Sequence, residues 1–387
     1  MKKINLTLVA LTLFFILPSA RPIYKYVGLF EPIPMLIYAL GIIFFIVLLK
    51  NKKLVPLLKR WMGNYWYITF ILLCVSVIIL YVYPIADGLK IQMRGSDQDD
   101  CVIIGASQLL SFNHPYVQKS YFGNPCSPGL GMLLLYAPFV LVKLYPLGAI
   151  VFAAIAARAL KNYFSSLFDA SVFLTLLFSS IFIMENLVVG SDLLLLGCGI
   201  VILSFSLIKA ISTKNLALIL GLAVFAGLLS STRINFLVIA PILSVYIFLY
   251  WRKGALAFAI LSLCVALLPS LFVYIQDPAL FSPLHLLGKS DRLLQGGLKE
   301  IGLIASVLAF IVSIILVKKS INNLPAGLLL SLAPSLIFVS IGDLVGRGGS
   351  FAAWEGANYL IPVMPLSVAL ILGHLSNHDQ INPSHCE

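Results

Sequence analysis

Charged residues are scarce in this chain. Only 11% of its 387 residues are charged and 60% are hydrophobic, whereas soluble domains carry about a quarter charged residues. No polar interval is long enough to form a soluble domain with a core of its own. These absences exclude a soluble fold and predict an all-α, polytopic bundle of transmembrane helices that forms one domain, 1–387.

Three further absences narrow the possible functions. The six cysteines include no CxxC or Cys/His spacing, so a zinc site is not expected. The glycine-rich segment 342–358 lacks the spacing of a phosphate-binding loop, and the topology derived below places it on the outer side, where it would not meet ATP. No internal repeat is visible, although transporters typically contain one. We therefore expect no nucleotide site, and the missing repeat favours an enzyme over a transporter.

Lysine and arginine nevertheless outnumber the acids, which gives a formal net charge of +11. In a soluble protein this excess would suggest nucleic acid as a partner. In a membrane protein it is explained by the basic residues that accumulate in cytoplasmic loops. We expect membrane lipid, and no nucleic acid, as a partner.

Long apolar runs dominate what is present, and a transmembrane helix needs about 20 apolar residues. The segment 129–163 has two interpretations: two helices broken at Pro138 and Pro146, or an interfacial helix followed by one span. The hydropathy pattern predicts about twelve spans, near residues 4–20, 33–50, 65–84, one crossing within 129–163, then 167–184, 189–208, 215–230, 234–250, 254–274, 301–317, 325–341 and 357–374.

The distribution of basic residues favours one crossing within 129–163. With that topology, fifteen lysines and arginines share one set of loops with three acids, Asp169, Asp379 and Glu387. Because cytoplasmic loops carry the excess of Lys and Arg, this side is cytoplasmic. The sequence thus predicts a multi-pass protein of the cell (inner) membrane with both termini in the cytoplasm. It also predicts two large outer loops, 85–128 and 275–300.

Acidic residues are rarer still, yet four of the fifteen lie in one polar stretch, residues 83–128. They are Asp87, Asp97, Asp99 and Asp100. The run CVIIGASQLLSF follows, with apolar residues at helical spacing, which predicts an amphipathic helix along the outer membrane face. The acids then either cap this helix, where its dipole favours negative charge, or line a cavity.

The rest of the outer loop 85–128 is rich in turn-forming residues. NHPY at 113–116 is followed by GNPCSPG at 123–129, and the prolines and glycines restrict the backbone on its return to the membrane. A rigid C-terminal part of the loop is more typical of a segment that forms the wall of a cavity than of one that only connects two spans. Cys101 and Cys126 share the loop and are able to form a disulfide in an oxidising compartment.

Together these motifs resemble the GT-C glycosyltransferases, and especially bacterial members similar to polyprenyl-phosphate-mannose-dependent mannosyltransferases. The resemblance covers the first outer loop well, the span count loosely and the final span in part. Asn358 stands where the family usually has an arginine. The matching pieces are SDQDD at 96–100, GASQLL at 105–110, NHPY at 113–116, GNPCSPG at 123–129 and NYLIPVMPLS at 358–367.

The resemblance implies an inverting glycosyltransferase that moves a sugar from a polyprenyl-phosphate donor to an envelope glycan or glycolipid acceptor on the outer face. An aspartate of the loop would be the general base, because the acceptor hydroxyl must lose its proton as it attacks the anomeric carbon. Neighbouring carboxylates also raise one another's pKa. Three catalytic candidates stay open: counting back from NHPY favours Asp99 or Asp100, whereas the adjacent Gly95-Ser96 favours Asp97.

Further outer residues are predicted to bind substrate, because a departing lipid phosphate needs cations near the membrane face. Arg233 is the best candidate among these cations. The alternative interpretation is that Arg233 lies at a helix end and extends its charged group to the membrane interface. The spacing of His285, Lys289 and Arg292 suits either a phosphate-binding lid or a solvated amphipathic helix. The whole set is His114, Tyr116, Asn124, Arg233, His285, Lys289, Arg292, Arg347 and Glu355.

Two other features have an ordinary explanation that the sequence favours. Glu185 and Asp192 flank the outer turn ENLVVGSD, and a turn at the membrane interface accommodates both acids, although polar groups at bilayer depth often mark function. Trp354 and Glu355 are able to contact sugar, but an interfacial aromatic belt also accounts for Trp354.

No cofactor is predicted, although the aspartates are of the type that holds a divalent cation through oxygen ligands. A lipid-phosphate donor does not require such a cation. Two alternatives to the transferase remain: a transporter or flippase for lipid-linked or anionic substrates, and a polysaccharide polymerase or ligase.

Overall fold

The computed structural model describes residues 5–28, 32–93, 95–286, 288, 293–294 and 297–376. Its main helices are α1 (Leu6–Ile16), α2 (Ala20–Val27), α3 (Pro32–Lys50), α4 (Val55–Met62), α5 (Tyr65–Gly88), α6 (Asp100–Leu110), α7 (Leu130–Leu141), α8 (Gly148–Phe164), α9 (Leu167–Ser179), α10 (Ile181–Val188), α11 (Leu193–Ser212), α12 (Leu216–Ser230), α13 (Ile239–Phe248), α14 (Arg252–Gln276), α15 (Leu298–Lys319), α16 (Leu324–Gly346) and α17 (Met364–Leu375).

Within the described residues the fold is entirely helical, so the predicted all-α class is confirmed. The helices form from the apolar runs of the sequence, and several of them begin after a residue with a short polar side chain that caps the helix. Asn64 caps α5 by accepting from the Tyr67 N–H, Ser166 caps α9, and Asn215 caps α12. Such caps satisfy an N–H group that has no partner within the helix.

The described residues contain nine helices long and apolar enough to cross a membrane, or ten if a bent pair is one span. That pair is α9 and α10, which meet at an angle of 72°. These helices make the chain a multi-pass membrane protein. Two segments predicted as spans, α12 and Ile234–Phe248, are shorter apolar helices, so the total of twelve stays a prediction.

The segment 129–163 contains one helix of crossing length, Tyr145–Phe164, preceded by the short α7 of 12 residues. Pro138 lies inside α7, and Pro146 lies in the 3₁₀ turn that starts the longer helix. This arrangement agrees with an incomplete helix followed by one span, which is the topology that the basic residues favour.

Helix α11 lies at the centre of the bundle, because 83% of its apolar window is buried, whereas α3 and α15 are 17% buried and Tyr65–Gln92 is 11% buried. The exposed surfaces of these outer helices are apolar, as expected for contact with lipid. In lipid, helices associate through close packing and hydrogen bonds more than through the hydrophobic effect.

One buried hydrogen-bond network joins three helices in the C-terminal half. The Tyr246 hydroxyl of α13 lies 2.6 Å from the Ser313 hydroxyl of α15 and 2.7 Å from the Ser331 hydroxyl of α16. All three side chains are at most 7% exposed. The network therefore fixes the positions of these helices relative to one another.

The loop 85–128 is fastened to the bundle at its C-terminal end. Cys101 and Cys126 form a disulfide, and the Gly129 N–H donates to the Thr232 carbonyl at 2.7 Å. A Cβ atom on Gly131 would collide with the Leu228 carbonyl oxygen of α12, so glycine is needed for this close approach. The loop is thus held against the end of α12, and its predicted helix is α6.

Candidate functional site

A cluster of acids surrounds the ammonium of Lys90. Lys90 lies in the 3₁₀ turn Leu89–Gln92 that follows α5, and its side chain is only 7% exposed. Its Nζ lies 2.8 Å from Asp99 Oδ1 and 2.5 Å from Asp100 Oδ1, and it also forms an ion pair with Asp87. Three carboxylates share one ammonium, so this site carries a net negative charge when all groups are ionised.

Asp99 is the innermost of the three predicted aspartates and is 1% exposed. Its Oδ2 accepts a hydrogen bond of 2.5 Å from the Tyr83 hydroxyl. Burial raises the pKa of the Asp99 carboxyl above its ordinary value, although the hydrogen bonds from Lys90 and Tyr83 act in the opposite direction. Asp99 is therefore a buried carboxylate whose pKa lies above its ordinary value.

Gly190 makes this packing possible. It follows α10 with a φ of +72°, and a Cβ atom there would lie 2.8 Å from both Asp99 Cβ and Tyr83 Cε2. Its carbonyl accepts a hydrogen bond of 2.8 Å from the Tyr145 hydroxyl. Only glycine fits both the conformation and the space, so this turn closes directly over the acid cluster.

Asp97 and Asp100 connect the acids to the later part of the loop. Asp97 Oδ2 accepts from the Ser120 hydroxyl at 2.5 Å and from Asn124 Nδ2 at 2.9 Å. Asp100 Oδ2 accepts from the Tyr121 N–H at 2.8 Å. The structure thus brings the predicted residues Asp97 and Asn124 together, and it gives each of the three aspartates a different environment.

A second polar cluster contains the predicted Arg233. Its Nη2 lies 2.7 and 2.8 Å from the two carboxylate oxygens of Asp192, and its Nη1 donates to the Ser127 hydroxyl at 2.6 Å. The side chain of Arg233 is 17% exposed and that of Asp192 is 2% exposed. Arg233 is therefore paired inside the protein and does not snorkel from a helix end. Asp192 is its buried ion-pair partner, and not an acid accommodated by a turn at the membrane interface.

The two clusters lie on either side of one turn. Gly190 contacts Asp99 and Tyr83, and Asp192, two residues later, binds Arg233. Ser127 belongs to the same loop, 85–128, as Asp99. The loop 85–128, the turn after α10 and the turn after α12 therefore meet in one polar region.

The predicted residues of the NHPY turn have mainly internal contacts. Tyr116 is 5% exposed, its hydroxyl donates to the Pro128 carbonyl at 3.1 Å, and its ring contacts Phe281. Burial raises the pKa of this phenol. His114 Nδ1 accepts from the Tyr116 N–H at 3.4 Å, and its Nε2 is buried without a partner among the described residues.

The segment after α14 contacts the loop 85–128 through Ser282, whose hydroxyl donates to the Cys126 carbonyl at 2.7 Å. The predicted His285 lies close by, with Nδ1 2.7 Å from the Ser282 carbonyl. Lys289 and Arg292 lie outside the described residues. The predicted alignment of these three side chains on one helical face therefore stays a prediction.

Arg347 and Glu355 form a separate ion-pair group. Arg347 binds Asp343 at 2.9 Å and Glu355 at 2.8 Å, and Asp343 also accepts from the Gly356 N–H at 2.6 Å. Trp354 is 6% exposed and donates to the Ser340 carbonyl, so it is an internal residue and not part of an interfacial belt. Among the described residues, no hydrogen bond or ion pair connects this group to the Lys90 cluster.

Two surface cavities lie outside the acid cluster. One of about 400 Å³ lies between α8, α11 and α12 and includes Lys209. The other, of about 280 Å³, lies between the end of α6, α7 and α14 and includes Phe112 and Asn113. Neither cavity is lined by an acidic residue.

Sequence reasoning missed Lys90, Tyr83 and Asp192 as members of the site. Lys90 follows Asp87 by three residues, which is a recognisable spacing for a local ion pair. Nothing local indicates that Asp99 and Asp100 fold back onto it, or that Asp192 meets Arg233 41 residues later. Comparisons with protein families, with curated proteins and with solved structures find no match for this chain.

Proposed function

We propose that this chain is an integral-membrane glycosyltransferase that moves a sugar from a polyprenyl-phosphate donor to an envelope glycan or glycolipid acceptor. The observation that carries the proposal is the buried acid cluster of the outer loop 85–128, which lies beside a guanidinium group. It supplies a base and a cation within one polar region of a membrane protein. Family resemblance in the loop motifs agrees with this chemistry.

Asp99 is the proposed general base. The acceptor hydroxyl oxygen forms a bond to the anomeric carbon while the bond from that carbon to the phosphate oxygen breaks, and the hydroxyl proton passes to Asp99. A positioned base of this kind contributes roughly 10²–10⁴-fold to rate. The acceptor hydroxyl replaces the Tyr83 hydroxyl as the donor to Asp99 Oδ2, since Tyr83 is the more exposed of its two partners.

Arg233 is the proposed ligand of the departing phosphate. Its Nε–H is buried and has no partner among the described residues, while its two terminal nitrogens bind Asp192 and Ser127. A guanidinium forms strong, directional hydrogen bonds to phosphate oxygens. Asp192 positions this group beside the loop that holds the base.

Replacing the three aspartates singly by asparagine tests the proposal. Sugar transfer from a radiolabelled polyprenyl-phosphate donor is measured in membrane vesicles that contain equal amounts of each variant. Asp99→Asn should reduce transfer by about 10²-fold or more, the loss expected for a general base. Asp97→Asn, which changes a loop contact, should reduce it less. Full activity in all three variants would exclude a carboxylate base in this loop.

A further inference from the structure

The ammonium of Lys90 lies among three carboxylates whose arrangement resembles the binding site of a divalent cation. Asp87, Asp99 and Asp100 each offer one oxygen atom, and these atoms lie within 4.8 Å of one another. Several carboxylate oxygens converging on one point are the ligands that Mg²⁺, Mn²⁺ and Ca²⁺ prefer. Lys90 Nζ contacts all three carboxylates from this point.

We propose that Lys90 is a built-in cation that takes the place of a divalent metal ion, so that the acid cluster functions without metal and Asp99 is held in position by the protein's own charge. Lys90 is a positioning residue in this scheme. Its consequence for catalysis rests on the proposed function, but its consequence for metal binding does not.

Charge balance supports this assignment. Three carboxylates at such short distances repel one another, and the buried Asp99 would be costly to ionise without a nearby positive charge. Asp87 Oδ1 is also buried, and the ammonium of Lys90 is its ion-pair partner. The charge of Lys90 compensates that oxygen, as a bound metal ion would.

The backbone also fixes the Lys90 side chain in this position. Gly95 packs directly on it: a Cβ atom there would lie 2.7 Å from Lys90 Cγ and 3.0 Å from its Cα. The loop therefore closes over the stem of the lysine, and the side chain is 7% exposed. A lysine that merely neutralised surface acids would not need to be enclosed in this way.

Manganese binding tests the proposal on the full-length protein in detergent. The fall of the electron paramagnetic resonance signal of free Mn²⁺ reports binding near neutral pH. The wild-type protein should show no saturable site, whereas Lys90→Ala should bind one Mn²⁺ with a dissociation constant in the roughly 10⁻⁵–10⁻³ M range of weak carboxylate sites. Adding Asp99→Asn to Lys90→Ala should abolish this binding.

Lys25→Ala is the matched control, because Lys25 also pairs with a carboxylate, Glu185, but at a separate place. It should not create a manganese site. Lys90→Met keeps the apolar stem and replaces Lys90→Ala if that variant does not fold, as judged by gel filtration and by the Cys101–Cys126 disulfide. The proposal is overturned if the wild type binds Mn²⁺ as tightly as Lys90→Ala, or if folded Lys90 variants bind none.

The wild-type titration tests the proposal without any variant. Where transfer activity is measured, chelation with EDTA should leave the wild type unaffected, and Mn²⁺ should restore part of the activity that Lys90→Ala loses. If the protein proves not to be a transferase, the binding experiment still decides whether Lys90 excludes metal from the cluster.

Discussion

The three close aspartates differ because each faces different neighbours, although their positions in the sequence are almost the same. Asp97 binds Ser120 and Asn124, whereas Asp99 and Asp100 share Lys90. Of the two that share Lys90, only Asp99 is almost completely buried. Burial, more than sequence position, therefore determines which carboxylate has the properties of a base.

The raised pKa of Asp99 leads to a prediction for pH dependence. The groups that face Asp99 are Tyr83, Lys90, Asp87 and Asp100. A general base must be deprotonated, so transfer should fall on acidification, with a midpoint above the ordinary aspartate pKa of 3.8. The contribution of the Asp99 carboxyl to folding stability has the opposite pH dependence. Because the pKa of this carboxyl is raised in the folded protein, its contribution is greatest below the ordinary pKa and is lost as the pH rises through the folded-state pKa.

This prediction is checked by initial rates of transfer between pH 3.5 and 8, about the range in which carboxyl and imidazole groups titrate. Thermal unfolding is measured over the same range. A midpoint at or below the ordinary aspartate value would contradict a buried base at position 99.

Tyr83→Phe gives a second prediction for the same carboxyl. The Tyr83 hydrogen bond lowers the pKa of Asp99, in opposition to burial. Phenylalanine keeps the ring but removes this bond. The acid limb of the pH profile of kcat/KM, which reports the free enzyme before the acceptor replaces the Tyr83 hydroxyl, should therefore move to higher pH. Tyr81→Phe, at an exposed position of the same helix, is the control and should not move it. An unchanged acid limb in Tyr83→Phe would show that the base is not Asp99.

At the level of the elements, the site depends on contacts that join segments far apart in the chain. Arg233 and Asp192 connect the turn after α12 to the turn after α10, and Ser127 connects both to the loop 85–128. Removing one partner of a buried ion pair leaves an uncompensated charge, which typically costs about 3–5 kcal/mol.

Asp192→Ala should therefore destabilise the protein strongly, and combining it with Arg233→Met should recover part of the loss, because no charge is then left unpaired. Thermal unfolding in detergent is measured for Asp192→Ala, for Arg233→Met and for the double variant. A double variant that is destabilised by the sum of the two single changes would indicate that Asp192 and Arg233 do not interact.

The disulfide between Cys101 and Cys126 makes a separate contribution to the loop. It links residues 25 apart in the sequence, and a cross-link of that length stabilises by about 3.5 kcal/mol in the chain-entropy model. Cys101→Ala with Cys126→Ala should lower the unfolding temperature and remove the mobility difference between reduced and oxidised protein on gels. The exposed Cys264→Ala should do neither.

For the whole molecule, the sequence predicted the helices better than it predicted the site. Apolar runs and polar caps such as Asn64 act locally, so hydropathy locates α5 and its neighbours. The motif residues Asp97, Asp99 and Asn124 were also identified and lie in one region. Lys90 and Asp192 were not, because their roles come from tertiary contacts that no local pattern encodes.

Topology is the prediction that belongs to this scale. The basic residues predict that the loop 85–128 lies outside and that the basic segment 50–61 lies in the cytoplasm. Phe112 is 99% exposed at the end of α6, and Lys52 is exposed in the basic segment. A membrane-impermeant maleimide should label Phe112→Cys in intact cells and Lys52→Cys only after permeabilisation. The reverse pattern would invert the topology.

The most direct test of the transferase proposal compares cell-envelope glycans by mass spectrometry. Cells that lack this chain should lose one hexose or pentose from an envelope glycan or glycolipid. The wild-type chain should restore that sugar, and Asp99→Asn, present at the same level in the membrane, should not. Envelope glycans that are unchanged without the chain, or full restoration by Asp99→Asn, would contradict a glycosyltransferase with its base at Asp99.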